Sequence, residues 1–251
     1  SLRQDFNDRF EDEMTWRAGG GYAFENIGGR VRASVGTGVK NPTLTELFGF
    51  FPAFFAGNPA LTPEKSLGYN IGYEQTWLDD ALNFSIDYFH SDLENEIFTD
   101  FGVFPATAKN RTTDSTRQGV EVQARWTLSE QFSAQGSMTF LDADENGVKE
   151  IRRPDFLGSA TFTWKPLDVL SFTASVDHTG SQLDSDFSTF PSTARELDAY
   201  TLVGLNAAYD VNEIITLTLR GDNLLDEKYQ EVLGYASQGR GIYAGLRARF
   251  D

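Results

Sequence analysis

The chain has 251 residues, of which 14% are aromatic and 23 are glycine, with no cysteine and a formal net charge of −16. A negative mean hydropathy and the lack of any run of 18 apolar residues exclude a helical membrane protein. The acidic balance argues against a nucleic-acid partner, because phosphate binding needs a basic surface.

What the chain does contain is a long series of stretches of about ten residues that alternate apolar and polar. In the first, Met14, Trp16, Ala18, Tyr22 and Phe24 share one parity while Thr15 and Arg17 share the other. Val31, Ala33 and Val35 then oppose Arg30, Arg32 and Ser34, and Leu67, Tyr69, Ile71 and Tyr73 oppose Asn70 and Glu74. Leu82, Phe84, Ile86 and Tyr88 oppose Asn83, Ser85 and Asp87; Val120, Val122, Ala124 and Trp126 oppose Glu121, Gln123 and Arg125. Phe132, Ala134, Met138 and Phe140 follow, then Phe156, Ala160, Phe162 and Trp164, then Leu170, Phe172, Ala174 and Val176. Val203, Leu205, Ala207 and Tyr209, then Ile215, Leu217 and Leu219, and finally Ile242, Ala244, Leu246, Ala248 and Phe250 complete the series. Side chains of a strand alternate between two faces. The pattern therefore predicts about eleven strands, each near the length that crosses a tilted bilayer path. One such strand is a weak signal, but the series predicts an all-β, antiparallel transmembrane β-barrel wall with its apolar faces in lipid.

The connections alternate in length. Short turns are predicted at 25–29, 78–80, 129–131, 166–168 and 210–213, and long ones at roughly 39–66, 100–115, 142–154, 179–198 and 224–239. Outer-membrane barrels place short turns in the periplasm and long loops outside. By that rule the chain starts in an external loop, crosses an odd number of times and ends inside, so it reads as the second half of a larger barrel. About eleven strands with two unpaired edges would be unstable alone. The lack of cysteine suits assembly in the periplasm without disulfide staples.

The acids gather in the long connections: Asp5, Asp8, Glu11, Asp12 and Glu13; Asp142, Asp144 and Glu145; Asp184 and Asp186. Solvated loop charge is the simpler reading, with divalent cations bridging to lipopolysaccharide as the alternative. Asp142 to Gly147 resembles the front of an EF-hand loop, but the position that should be a bidentate glutamate is Arg153. Asn146-Gly147 turn chemistry explains the same residues. Catalysis is not expected. The two histidines, His90 and His178, fall by parity on the lipid side near the external strand ends, away from any Ser–His–Asp arrangement.

Several segments carry a family resemblance. Lys40-Asn41-Pro42, Leu47-Phe48-Gly49 and Asn58-Pro59-Ala60-Leu61-Thr62-Pro63-Glu64-Lys65-Ser66 resemble a loop of the TonB-dependent outer-membrane receptors. So do Asn223-Leu224-Leu225-Asp226-Glu227-Lys228-Tyr229, the following Gly239-Arg240 and the aromatic-ended last strand. Within that superfamily, Arg152-Arg153, then Ser185-Asp186-Phe187-Ser188-Thr189-Phe190-Pro191, then Leu233-Gly234-Tyr235-Ala236-Ser237-Gln238-Gly239-Arg240 follow the order and spacing of the vitamin B12 (cobalamin) transporters. The resemblance covers essentially the whole chain. It implies the C-terminal part, residues 1–251, of a 22-stranded barrel whose lumen is occluded by a plug domain. The plug, its TonB box, the first barrel half and the family's calcium-binding loops would lie upstream. No metal ligand or cofactor is carried over. The implied localisation is the bacterial outer membrane, with lipid and lipopolysaccharide around the wall. The implied function is import of a scarce bulky nutrient driven through TonB.

Positions matching Arg152, Phe187 and Tyr235 touch the ligand in the cobalamin transporters, so the resemblance implies ligand binding there. The family has a tyrosine at the position of Phe187. Physically, an arginine on a loop rim can donate several fixed hydrogen bonds, and aromatic rings offer broad rigid contact to a large planar ligand. The simpler alternatives are solvated cations for Arg152 and Arg153, an interfacial girdle aromatic for Tyr235, and self-packing of the loop for Phe187, Phe190, Phe48, Phe50, Phe51, Phe54 and Phe55. The aromatic run at 50–55 is more apolar than an exposed loop ordinarily carries, and it could instead meet ligand, plug or a surface partner. Three functions follow: import of cobalamin, import of a ferric siderophore, or a barrel whose loops bind another protein without transport.

Overall fold

A computed structural model of the protein describes residues 1–249; Phe250, expected on the apolar face of the last strand, lies outside them. The chain opens with β1 (Leu2–Asp5), β2 (Glu13–Phe24) and β3 (Gly29–Lys40), followed by a short helix α1 (Leu44–Phe48) and β4 (Phe55–Ala56). Next come β5 (Glu64–Trp77), β6 (Leu82–Glu94), β7 (Ile97–Asp100), β8 (Ala106–Asn110), β9 (Ser115–Thr127), β10 (Phe132–Glu145) and β11 (Val148–Lys149). The last third holds β12 (Phe156–Leu167), β13 (Leu170–Thr179), β14 (Gln182–Asp186), β15 (Thr193–Leu197), β16 (Tyr200–Asp210), β17 (Ile215–Asp222) and β18 (Gly241–Ala248).

One large antiparallel sheet runs in the order β1-β2-β3-β5-β6-β9-β10-β12-β13-β16-β17-β18, with β11 beside β10. Its eleven long strands are the expected eleven, and successive long strands are neighbours, as in an up-and-down barrel wall. The short turns fall where the sequence places them, and the long connections leave from the opposite end of every strand. The order begins at β1 and ends at β18 without closing. The additional strands are short and sit in the long connections: β14 pairs with β15, and β4, β8 and β7 form a small sheet.

The register lines up like with like. Ile71 faces Ala33 on one side and Tyr88 on the other; Ile86 faces Tyr73 and Val122; Trp164 faces Phe132 and Phe172; Leu217 faces Tyr209 and Leu246. A slip of one residue would move every one of these side chains to the other face. The result is a continuous apolar face that no second layer covers. A dry sandwich would bury it, yet Ile71, Trp126, Phe140, Leu205 and Leu246 are all exposed. Aromatics band this face at two levels. Near the short turns, Trp77 lies by Phe84, and Trp164 stacks between Phe132 and Phe172 at centroid distances of 6.1 and 5.6 Å. Toward the long loops, Tyr69 stacks on His90 at 4.9 Å, and Phe156 lies against Phe140 and His178 at 4.9 and 5.6 Å. Phe132 and Phe140 mark the two bands on β10, about 27 Å apart along the strand at ~3.4 Å per residue. An apolar band between two aromatic girdles is what hydrocarbon, not water, solvates.

The opposite face is hydrophilic and knit across strands. Arg32 donates to Glu74 at 2.8 Å and to Asp87 at 2.7 Å; Ser34 bonds Asn70 at 2.7 Å; Ser137 and Ser159 meet at 2.9 Å. Gln75 is the polar break in the apolar parity of β5, and it is buried: its amide donates to the Ile27 and Thr76 carbonyls, and Tyr73 donates to its oxygen. It thereby caps the turn after β2. In that turn Gly28 has φ +66°, and an added Cβ would stand 2.8 Å from the Thr76 carbonyl, so only glycine fits.

Candidate functional site

The sheet itself has almost no buried core. Among the described residues, the most deeply buried apolar side chains, Leu47, Leu61 and Ala108, belong to the long connections and pack with Phe10, Phe55 and Ile97. Helix α1 supplies Leu47. It starts in a capping box, where the Thr43 hydroxyl accepts from Glu46 N–H at 3.2 Å and the Glu46 carboxylate accepts from Thr43 N–H at 2.7 Å. Asn58 donates its amide to the Ala108 carbonyl at 2.9 Å, and Asn110 exchanges two bonds of 2.9 Å with the Thr62 backbone. Connections 41–63 and 95–114 thus form one packed body. Phe55 turns into it, whereas Phe48, Phe50, Phe51 and Phe54 remain exposed. Phe50 and Phe51 pack edge to face at 4.6 Å and Arg9 lies 5.1 Å over the Phe48 ring, so the loop packs partly on itself while leaving these rings open to solvent.

A charge network joins this body to the next connection. Arg117 reaches Glu96 at 2.5 Å and Glu150 at 3.0 Å; Arg111 bonds Glu145, and Arg153 lies 3.5 Å from Glu150. Burial works to raise the Glu96 carboxyl, but the Ser115 hydroxyl, Arg117 and Arg111 outweigh it and hold its pKa below the ordinary glutamate value. Arg153 is thus an ion-pair member rather than a free loop cation. Asp142 to Gly147 forms a tight hairpin between β10 and β11, with Asn146 and Gly147 at φ +50° and +78°; this is the turn that Asn-Gly favours.

Arg152, Phe187 and Tyr235 come from three different connections, and the fold brings them to one open cavity of about 510 Å³, lined also by Ser185, Tyr229, Glu231 and Gln238. That volume is in the range of small-molecule sites. Tyr235 lies in the connection between β17 and β18 and is exposed. Phe187 meets Phe101 edge to face at 5.4 Å, which links the cavity to connection 95–114. Tyr229 is held by stacking on Tyr200 at 4.3 Å. The charged groups of the lining are one arginine and one glutamate, and the Arg152 guanidinium already donates to Asp184 at 2.7 Å. The site offers aromatic planes, amide and hydroxyl groups, and little net charge.

Asp184 is the residue that a sequence reading treats wrongly. Counted among solvated loop acids, it is 0% exposed. Burial pushes its carboxyl pKa up, but the Leu233 N–H, the Arg152 guanidinium and the Ser185 N–H prevail and hold it below the usual aspartate value. Its partners Arg152 and Leu233 stand 32 and 49 residues away in sequence, so no local pattern could reveal it. The histidines lie on the apolar face toward the strand ends that carry the long connections: His90 is 3.1 Å from the Asp92 carboxylate, and His178 is 2.8 Å from the Thr201 hydroxyl.

Comparison with known proteins gives the same architecture. A family model described as TonB dependent receptor-like, beta-barrel, matches residues 1–224. All of the chain aligns with the vitamin B12 transporter BtuB of Vibrio vulnificus at 27% identity, covering 40% of that protein. It likewise aligns with BtuB of Vibrio cholerae at 28% identity, covering 39%. The chain therefore spans about two-fifths of the length of these curated relatives. Among solved structures, the siderophore receptor PirA from Acinetobacter baumannii superposes with a TM-score of 0.81 at 17% identity, over 99% of this chain and 43% of that one. The ferric enterobactin receptor PfeA from Pseudomonas aeruginosa gives 0.80 at 20% identity, over 99% and 42%.

Proposed function

The chain belongs to the TonB-dependent receptor-like β-barrel family, and on that premise we propose that it forms the C-terminal part of an outer-membrane importer for a bulky nutrient, cobalamin in the first place. Residues 1–251 would make one half of the wall. The first half and a plug domain, supplied by the rest of the receptor, would complete it, and TonB would drive release inward through the plug. The role is transport rather than catalysis.

The observation that carries the substrate reading is the convergence of Arg152, Phe187 and Tyr235 on one rim cavity with nearly balanced charge. Cobalamin is a large, amide-rich ligand with a broad planar ring. Aromatic planes and amide or hydroxyl partners suit it, and the cavity supplies both. Ferric catecholate complexes are polyanions. A lining whose single arginine is already engaged by a buried aspartate, and which also carries Glu231, gives them little counter-charge. Phe187 in place of the tyrosine typical of cobalamin transporters removes one hydroxyl and keeps the ring. In the intact receptor, equilibrium binding of cyanocobalamin and of a ferric catecholate should favour the former, and Arg152→Ala and Tyr235→Ala should each weaken it with barrel assembly unchanged. Preference for the ferric complex would transfer the site to siderophores; unchanged affinity in both variants would remove the site.

A second reading has its own observation, the exposed ring cluster of Phe48, Phe50, Phe51 and Phe54. If the rim recruits a protein, replacing the exposed rings Phe48, Phe50, Phe51 and Phe54 by serine, with the packed Phe55 kept, should abolish a co-purifying partner and leave small-molecule uptake intact; a partner retained by that variant would remove this reading.

A further inference from the structure

Three external connections meet on one side chain. Asp184 in β14 accepts from Arg152 Nε at 2.7 Å and from its neighbour's Ser185 N–H at 2.8 Å through Oδ1, and from Leu233 N–H at 2.8 Å through Oδ2. The Arg152 backbone N–H returns to the Leu183 carbonyl at 2.7 Å, and Gln182 donates to the Glu231 carbonyl at 3.1 Å, so the junction is fastened on both sides of the carboxylate. Each of the three connections also brings one of the three aromatic or cationic cavity residues singled out above close to this junction: Arg152 itself, Phe187 after Asp184, and Tyr235 after Leu233. Asp184 itself does not line the cavity.

From this geometry we infer that Asp184 is a positioning residue for ligand capture: its carboxylate fixes the relative placement of Arg152, Phe187 and Tyr235, so affinity depends on a group that never touches the ligand. The inference rests on the reading of that cavity as the ligand site. Chemistry makes the role specific to a carboxylate. Both oxygens accept, from donors on three connections. An asparagine would turn an NH₂ donor toward the Leu233 N–H or toward Arg152 and Ser185, whichever way the amide rotates. The lost bonds are charge-assisted, buried and mutually dependent.

The test uses the intact receptor with Asp184→Asn, Arg152→Ala and the double variant. Without ligand, hydrogen exchange at the Leu233 and Ser185 amides should accelerate by at least about tenfold in Asp184→Asn, while exchange in the wall strands and heat-modifiable gel mobility stay as in the unmodified protein. Unchanged exchange at those two amides overturns the inference. With cyanocobalamin as the probe, each single variant should bind about tenfold more weakly or worse. The double variant should lose no more than about twofold beyond the weaker single one, because both break one constraint. Fully additive losses overturn the positioning role. If the unmodified receptor does not bind cyanocobalamin, the ligand reading fails and the capture role falls with it, and faster exchange in Asp184→Asn would then mark Asp184 as a structural junction only. If Asp184→Asn does not assemble, Arg152→Gln leaves the buried carboxylate short of a partner and should give the same faster exchange at Leu233; no change there would overturn the inference.

Discussion

The wall and the rim of this molecule are held together by opposite means. In the wall, cross-strand backbone bonds and hydrophilic pairs such as Arg32 with Glu74 and Asp87 face one side, and the apolar side chains face away from the protein. In the rim, Leu47, Leu61 and Ala108 are buried as in a water-soluble protein, and a buried carboxylate gathers three connections. The difference teaches where each solvent begins. Hydrocarbon accepts exposed isoleucine and phenylalanine at no cost, so the wall needs no core. Water does not, so the loops above it must build their own.

The largest expected effect breaks the wall side of this contrast. Ile86 lies between the two aromatic bands, facing Tyr73 and Val122. Ile86→Arg should cost about 2–4 kcal/mol if the face is solvated by lipid and show as reduced folded fraction in urea titrations of the receptor in bilayers. A face in water would tolerate the same change within about 0.5 kcal/mol, and that result would sink the lipid assignment. On the rim side, Leu47 is 2% exposed, and Leu47→Ala should cost about 2–3 kcal/mol. The loss should be confined to connections 41–63 and 95–114, seen as protease cleavage there with intact wall strands; cooperative loss of the whole barrel would erase the distinction drawn above.

Acid sharpens the contrast further. The Asp184 carboxyl titrates below its ordinary value of 3.8, so its contribution is complete above that pH and is lost as pH falls through the lower, folded value. The charged groups near it are Arg152, Arg195 in the facing position of β15, Asp186 and Glu231. Pepsin should cut connection 224–239 increasingly as pH drops below 3.8, with the wall unaffected; cleavage independent of pH would contradict this. The smallest effect is at the helix cap: Thr43→Ala should cost about 1 kcal/mol and raise hydrogen exchange at the Glu46 amide, whose bond to the Thr43 hydroxyl it removes.

The same contrast explains what could be read from the residues alone. The wall was legible because period-two alternation repeats over strands of eight or more residues and the register has only one solution that keeps Ile71, Ile86 and Leu217 together. The Asn146-Gly147 turn was legible for the same local reason. The rim was not. Strands of two to five residues such as β4 and β14 are too short to show a period, although Thr43 and Glu46 at capping-box spacing were an unused sign of α1. The family resemblance singled out Arg152, Phe187 and Tyr235, and the fold gathers them. Asp184 had no sign of its own, since its burial comes entirely from partners distant in the chain.

The unclosed order of the sheet carries a last consequence. Among the described residues, β18 (Gly241–Ala248) bonds only β17, so its outer row of amides and carbonyls points sideways in the plane where lipid tails would lie. Hydrocarbon offers those groups no partner, and each would cost several kcal/mol if left so. On the proposed reading of this chain as part of a larger wall, folding and insertion would be a single act, like a seam that cannot be left half sewn.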